Sequence, residues 1–182
     1  MSEIIIISGS PGSGKTTTAE LLARRPGGKR VHLHTDDFWG NIKQGHIEPW
    51  LPEADGQNRM VMEICASVAR LYARNDYLVA LDGVIGPWSL WAYEGLDVPV
   101  HYVLLRAPVE VAVARCQARG GDSLSDPQTV AEIHAMFADM GEYERHVLPV
   151  GHLDPEATVD LVLDAVATGN YRLGHNTPFD PS

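Results

Sequence analysis

The chain has 182 residues, of which 45% are hydrophobic, and 14 basic against 24 acidic residues give a formal net charge of −10 at pH 7. This length fits one domain of about 100–200 residues, so we expect residues 1–182 to form a single domain with a packed core rather than a disordered chain. An acidic chain without a basic cluster argues against general binding to nucleic acid or to an anionic membrane surface.

Cysteine content and hydropathy argue against a disulfide-rich, membrane-spanning or secreted protein. The two cysteines, Cys65 and Cys116, cannot build a disulfide framework or a four-thiolate zinc site, which is typical of proteins in a reducing cytosol. No apolar run approaches the roughly 20 residues of a membrane span, and the acidic start Met-Ser-Glu is unlike a signal peptide. We therefore expect a cytoplasmic monomer or homodimer that does not bind membranes.

Short apolar runs alternate with helical patterns along the chain. Strands are predicted at residues 4–7, 31–34, 77–81, 100–105 and 147–150. Helices are predicted from Lys15 to the stop at Pro26, over residues 58–74, and from the starts at Pro108, Pro127 and Pro155. This alternation predicts a three-layer α/β fold, in which helices cover both faces of a parallel sheet of about five strands. The polar tail, residues 171–182, is predicted to be a loose or draped end.

The strongest signal is the run from Gly9 to Thr16, which fits the pattern G-x-x-x-x-G-K-[ST] of a phosphate-binding loop. It follows a predicted buried strand and opens a predicted helix, as such a loop requires. Glycines let the backbone wrap phosphate oxygens closely, and the N–H groups then point at the ligand from the positive end of the helix. The predicted nucleotide-binding residues are Gly9, Ser10, Pro11, Gly12, Ser13, Gly14, Lys15, Thr16 and Thr17.

Two side chains of this loop have separate predicted roles. Lys15 directs a positive charge toward the β- and γ-phosphates of the nucleotide, and the Thr16 hydroxyl is placed to bind Mg²⁺. The competing interpretation is a glycine-rich turn before a helix. The strand before the loop and the helix after it both favour the phosphate-binding interpretation.

Acidic residues follow two of the predicted strands, where ligands of open parallel sheets bind. Phosphoryl transfer needs a carboxylate near the metal and another near the attacking hydroxyl. Asp82 is the candidate for the metal, and Asp36 or Asp37 would orient and deprotonate the acceptor. The alternatives are a turn residue before Gly83 for Asp82, and a helix N-cap with an acidic first turn for Asp36 and Asp37.

Arg115 and Arg119 are four residues apart on a predicted helix and therefore lie on one face of it. A flexible stretch that includes Gly120 and Gly121 follows them, so residues 119–126 are predicted to form a lid. Such a lid would bring positive charge onto the transferred phosphate and exclude water. The alternative is the ordinary preference of basic residues for helix C-termini.

Together these residues resemble the P-loop small-molecule kinases, which include the gluconate, shikimate, adenylylsulfate and chloramphenicol kinases. The similarity covers residues 3–168 and rests on the phosphate-binding loop, on Leu33-His-Thr-Asp-Asp-Phe38, on Leu81-Asp-Gly83, and on Leu104 to Glu110 with the two arginines. The resemblance implies a sheet in the order 2-3-1-4-5, ATP with Mg²⁺, a closing lid, and Asp36 as the acceptor acid. Family members often have Asp-Gly-Asp where this chain has His34-Thr35-Asp36, which leaves the acceptor open.

The acceptor pocket is predicted from aromatic residues. All four tryptophans, Trp39, Trp50, Trp88 and Trp91, fall in two segments that leave strand ends near the candidate acids. Aromatic walls with a few polar groups describe a small-molecule pocket, for which Trp39 and Trp88 are candidates and Arg59 a candidate partner of an acceptor anion. The alternatives are tryptophans that cover the core under long loops and a solvated arginine.

Three functions are consistent with this pattern. The first is an ATP-dependent kinase that phosphorylates a hydroxyl of a small molecule. The second is a nucleotide or nucleotide-sugar kinase. The third is a nucleotide-binding switch that hydrolyses slowly and regulates a partner, although the Asn-Lys-x-Asp run that switch GTPases use to read the base is absent from the sequence.

Overall fold

The computed structural model describes residues 2–119 and 125–174. Five strands form one parallel sheet in the order β2-β3-β1-β4-β5. They are β1 (Glu3–Ser8), β2 (Lys29–His34), β3 (Tyr77–Gly83), β4 (Val100–Arg106) and β5 (Val147–Pro149). The predicted α/β fold and its strand order are therefore confirmed.

Six α-helices lie between and after these strands in the described part of the chain. They are α1 (Lys15–Arg24), α2 (Thr35–Gly40), α3 (Asp55–Arg74), α4 (Val109–Arg119), α5 (Pro127–Ala135) and α6 (Pro155–Ala167), with short 3₁₀ turns at Pro52–Ala54, Pro87–Ala92 and Gly141–His146. The side chains of Asp126 and Asp154 accept hydrogen bonds from the backbone N–H groups of Thr129 and Ala157, so both acids are N-caps. Within the described ranges no helix has the length and apolar character of a membrane span.

The four isoleucines of β1 explain why the sheet is covered on both faces. Successive side chains of a strand point to opposite sides. Ile4 and Ile6 accordingly pack in one core cluster with residues of α3, and Ile5 and Ile7 pack in a second cluster with residues of α1 and α6. All four are fully buried. The central strand therefore fixes two helical layers, and the carboxyl end of the sheet is left free for a site.

The chain after α6 returns to the sheet. The Tyr102 N–H donates to the Tyr171 carbonyl and the Leu173 N–H donates to the Val100 carbonyl, both at 2.9 Å. These bonds form because β5 pairs only with the carboxyl half of β4 and leaves the other half of that edge open. Of the two predicted alternatives, residues 171–173 therefore form a draped end beside β4 rather than a loose one, and residues 175–182 lie outside the described part of the chain. Most of the predicted lid, residues 120–124, also lies outside it.

The loop between β1 and α1 is packed against α4. Gly12 has a φ of +78°, and a Cβ built on it would lie 2.2 Å from the backbone oxygen of Ala112, which is itself fully buried. Arg115 Nη1 donates to the Gly12 carbonyl at 3.4 Å from the same helix. Helix α4 thus holds the outer side of the loop, and only glycine fits at this contact.

The substitution Gly12→Ala tests this packing. The left-handed φ alone costs about 1–2 kcal/mol in the free energy of unfolding, and overpacking against Ala112 adds about 1–3 kcal/mol. Gly28→Ala is a matched control, because Gly28 has a φ of +92° with open space around its Cβ position. Urea denaturation should therefore show a clearly larger loss for Gly12→Ala than for Gly28→Ala. Equal losses would mean that α4 does not confine the loop.

Candidate active site

The phosphate-binding loop has the geometry that its sequence predicts. Gly9, Gly12 and Gly14 have φ values of +148°, +78° and +96°, and α1 begins immediately afterwards at Lys15. The Ser13 hydroxyl is buried and has no hydrogen-bond partner among the described residues. The loop therefore combines backbone amides with a helix N-terminus, and it holds one buried hydroxyl that is not used by the described residues.

Lys15 lies at the beginning of α1 and is buried. Burial lowers the pKa of its ammonium group because the charged form loses water, while the nearby carboxylates of Asp82 and Asp36 act in the opposite direction. The positive charge of Arg119 adds to the lowering. Lys15 therefore lies within the electrostatic reach of Asp82, Asp36 and Arg119.

Asp82 lies inside β3, opposite Ile7 of β1 and His34 of β2, and it is fully buried. The alternative of a turn residue before Gly83 is therefore wrong. The Thr16 hydroxyl donates to Asp82 Oδ2 at 2.6 Å, so the strand and the phosphate-binding loop are joined by a direct hydrogen bond. The half-buried Thr16 hydroxyl of α1 and the buried Asp82 carboxylate of β3 therefore lie side by side.

Two histidines that sequence reasoning missed also bind Asp82. His32 Nε2 lies 2.5 Å from Oδ1, and His34 Nδ1 lies 3.1 Å from both carboxylate oxygens. Burial by itself would raise the pKa of Asp82, but the hydrogen bonds from His32, His34 and Thr16 outweigh it and lower that pKa far below its usual range. The Asp82 carboxylate in turn raises the pKa of His34. A signal for these residues was present, because alternate positions of a strand face the same side.

The two adjacent acids of α2 differ in their surroundings. Asp36 and Asp37 are in the first turn of the helix and both are exposed, but neither is its N-cap, which is His34. Asp36 Oδ2 lies 3.4 Å from His34 Nε2, and its charge acts on Lys15. The surroundings of Asp36 therefore include the phosphate-binding loop and Asp82.

Close packing between β3 and α2 fixes this arrangement. A Cβ built on Gly83 would lie 1.9 Å from the Thr35 hydroxyl, which is buried. The next residue after Asp82 must therefore be glycine if α2 is to begin beside it. The segment that follows is tied to β1, because Ser8 Oγ donates to the Ile85 carbonyl at 2.6 Å and accepts from the Ile85 N–H at 3.0 Å.

The predicted acceptor residues are engaged in separate contacts. Trp39 Nε1 donates to Asn58 Oδ1 at 3.0 Å, the Arg59 guanidinium lies 4.5 Å from the centroid of the Trp91 ring, and the Trp88 ring lies 5.5 Å from the Phe137 ring. Trp88 remains 48% exposed. Within residues 2–119 and 125–174, none of these contacts joins two of the three predicted residues, so the single aromatic pocket stays a prediction.

The residues present fit a nucleoside triphosphate with a divalent cation. Hard cations such as Mg²⁺ prefer oxygen ligands and usually combine one or two protein oxygens with phosphate oxygens. The Thr16 hydroxyl and the ionised Asp82 carboxylate supply such oxygens. The buried Lys15 ammonium group would supply a donor and a positive charge for phosphate.

Comparison with known sequences agrees with this geometry. A family model described as an AAA domain matches residues 5–133. An adenylate kinase of Helicobacter pylori (strain Shi470) is 28% identical over 127 residues, which are 65% of this chain and 65% of that protein. An adenylate kinase of Nautilia profundicola is 54% identical over 38 residues, which are 21% of this chain and 20% of that protein. The chain thus spans less than two thirds of the length of these curated relatives.

Solved structures of similar fold include several small-molecule kinases, so the predicted resemblance is confirmed. The tunicamycin resistance protein of Deinococcus radiodurans has a TM-score of 0.69 and 19% identity, covering 91% of this chain and 96% of that one. A gluconokinase from Sinorhizobium meliloti has a TM-score of 0.65 and 16% identity, covering 93% and 94%. The Mycobacterium tuberculosis APS kinase in complex with AMPPNP and APS has a TM-score of 0.66 and 15% identity, covering 91% and 98%. The fold agrees with the family model that matches residues 5–133. This chain belongs to the AAA domain family.

Proposed function

We propose that this protein is an ATP-dependent phosphotransferase that moves the γ-phosphoryl group of ATP to a hydroxyl of a small molecule. The observation that carries the proposal is the 2.6 Å hydrogen bond between Thr16 Oγ1 and Asp82 Oδ2. It joins the hydroxyl that would bind the cation to a buried carboxylate, and both lie beside a phosphate-binding loop whose motif is complete. Phosphoryl transfer depends mainly on such positioning and charge stabilisation.

The loop and Lys15 would bind the phosphates, and Thr16 with Asp82 would hold Mg²⁺. When bound, that cation neutralises the negative charge that develops on the phosphate oxygens. The AMPPNP in the related APS kinase structure supports ATP as the nucleotide. An enzyme that consumes ATP without a membrane substrate would act in the cytosol, as a monomer or homodimer.

Asp36 is the proposed acceptor acid. It lies within 3.4 Å of His34 and acts electrostatically on Lys15, so it is near the place where the γ-phosphate would end. In that position it would orient the acceptor hydroxyl and take its proton. Asp37 has no corresponding contact within the described residues and would contribute negative charge to the first turn of α2.

Arg115 and Arg119 are proposed to act from α4. Arg115 already holds the phosphate-binding loop through the Gly12 carbonyl, so its first role is to support the loop. Arg119 is exposed at the end of the helix, and its charge reaches Lys15. It would stabilise the transferred phosphate, as cationic groups do in this class of reaction.

The acceptor would bind beyond the carboxyl ends of β2 and β3. The half-exposed Trp88 ring, which packs on Gly86 and Phe137, would provide one wall. Trp39 and Arg59 would line the opposite side of this acceptor pocket. Asn58 holds Trp39 by a hydrogen bond, and the Trp91 ring packs on the Arg59 guanidinium. An aromatic wall suits a ring-containing hydroxyl compound better than a bare sugar acid.

A nucleotide kinase is the second candidate. It is favoured by the 28% identity with an adenylate kinase over 127 residues. In that case the acceptor would be a nucleoside monophosphate, and the attacking oxygen would belong to its phosphate rather than to a hydroxyl.

An acceptor screen tests the proposed function. Release of ADP from Mg²⁺-ATP is measured with panels of hydroxylated antibiotics, sugar acids, nucleosides and nucleoside monophosphates. We expect at least one hydroxyl compound to raise ADP release well above the rate with ATP alone, and phosphorus NMR to show a phosphate ester. Acceleration by nucleoside monophosphates alone would establish the second candidate. Slow ADP release that no acceptor accelerates would contradict both.

The Lys15→Met variant should lose phosphoryl transfer while its fold survives. Methionine keeps the apolar stem and removes a charge that binds phosphate, and loss of one such stabilising group costs about 10²–10³ in turnover. Its melting temperature should not fall, because the variant no longer buries an ammonium group. Lys29→Met, an exposed lysine at the start of β2, is the control. Near-normal turnover of Lys15→Met would show that the loop does not bind the transferred phosphate.

The Asp36→Asn and Asp37→Asn variants should differ. Asp36→Asn should lower acceptor-dependent turnover by about 10²–10⁴, as expected for loss of a general base, with ATP affinity retained. Asp37→Asn should stay within a few-fold of the unmodified enzyme. Steady-state kinetics and nucleotide titration make the comparison. Small and equal effects would make both acids ordinary residues of a helix first turn.

The Trp88→Ala variant should raise the KM for the acceptor and leave ATP affinity unchanged. Trp88 is 48% exposed, so its truncation should cost clearly less than the roughly 3–5 kcal/mol lost with a buried large aromatic side chain. Trp50→Ala is the control, because Trp50 is the more exposed of the two at 73%. A large fall in melting temperature with an unchanged KM would mean that Trp88 only covers the core.

A further inference from the structure

Two histidines on β2 surround the carboxylate that the proposed function assigns to the metal. His32 and His34 are two residues apart on a strand, so their side chains project to the same side. Their ring centroids are 6.4 Å apart. His34 lies directly opposite Asp82 in the strand register. This arrangement exists only because β2 and β3 are neighbours in the sheet.

The hydrogen bonds divide the two oxygens of Asp82 between partners. His32 Nε2 lies 2.5 Å from Oδ1, while the Thr16 hydroxyl donates to Oδ2 at 2.6 Å. His34 Nδ1 lies 3.1 Å from each oxygen. The carboxylate is therefore fixed in rotation, and Oδ2 is the oxygen that faces the phosphate-binding loop.

His34 also reaches the second acid of the site. Its Nδ1 faces Asp82, and its Nε2 lies 3.4 Å from Asp36 Oδ2. One imidazole ring thus bridges the carboxylate on the metal side and the carboxylate on the acceptor side. Within residues 2–119 and 125–174, no other side chain forms a hydrogen bond or an ion pair with both acids.

We propose that His32 and His34 are positioning residues of this enzyme: His32 orients the Asp82 carboxylate toward Thr16 and the metal, and His34 sets the distance between Asp82 and Asp36. The inference rests on the proposed function, since it assigns supporting partners to its metal and acceptor acids. Partners that orient a metal-binding group typically affect metal affinity 10–100-fold. Among the described residues, the hydrogen bonds and ion pairs of both histidines go to Asp82 and Asp36 and not to the phosphate-binding loop.

Binding of Mn²⁺ to the complex with AMPPNP, followed by electron paramagnetic resonance, tests the role of His32 without turnover. His32→Phe keeps a ring but loses the donor, so we expect the Kd for Mn²⁺ to rise at least about tenfold. His32→Gln places an amide N–H near the position of Nε2 and should restore binding to within a few-fold. His101→Phe is the control, because His101 is a buried histidine at the amino end of β4. It should lower the melting temperature and leave Mn²⁺ binding unchanged.

The two contacts of His34 are separated by His34→Asn and His34→Phe. Asparagine can reproduce the donor at Nδ1 but cannot reach Asp36, so His34→Asn should keep the Kd for Mn²⁺ and lower kcat. His34→Phe loses both contacts and should impair both quantities. The inference is overturned if His32→Phe and His34→Phe bind Mn²⁺ as the unmodified protein does, or if His32→Gln binds no better than His32→Phe. If the unmodified protein binds no Mn²⁺ with AMPPNP, the proposed function itself fails.

Discussion

The hydrogen bond between Thr16 and Asp82 connects two parts of the chain that are 66 residues apart in sequence. It joins the first turn of α1 to the end of β3, and these elements can meet only because β1 and β3 are adjacent parallel strands. Everything else at the site is placed relative to this contact. The phosphate-binding loop lies on one side of it, and the histidines with Asp36 lie on the other.

A fully buried carboxylate must be stabilised by its surroundings. Removing such a charge from water costs several kcal/mol in real proteins, while a hydrogen bond to a charged group contributes about 1.5–3 kcal/mol. Three donors, from Thr16, His32 and His34, are therefore enough to keep Asp82 ionised, in agreement with its lowered pKa. The carboxylate arrives at the site already ionised and fixed in direction, which is the condition that electrostatic catalysis requires.

The features of this site that could be predicted from the sequence are those encoded by local sequence motifs. The phosphate-binding loop and the place of Asp82 follow from runs of residues whose spacing is local, whereas the strand order was implied only by the resemblance to the P-loop small-molecule kinases. His32 and His34 were missed because their role depends on which strand lies beside β2. The place where residues 171–173 dock was not predicted, because it depends on the short length of β5. Both are consequences of sheet pairing, which a single sequence does not display.

The central claim is that one nucleotide with one divalent cation binds at the contact between Thr16 and Asp82. A crystal structure of the protein with AMPPNP and Mg²⁺ tests it most directly. The account predicts the triphosphate within the loop from Gly9 to Thr16, Lys15 Nζ at the γ-phosphate, and Mg²⁺ beside Thr16 Oγ1 on the side of Asp82 Oδ2. A nucleotide bound elsewhere on the sheet, or a cation distant from both oxygens, would contradict it.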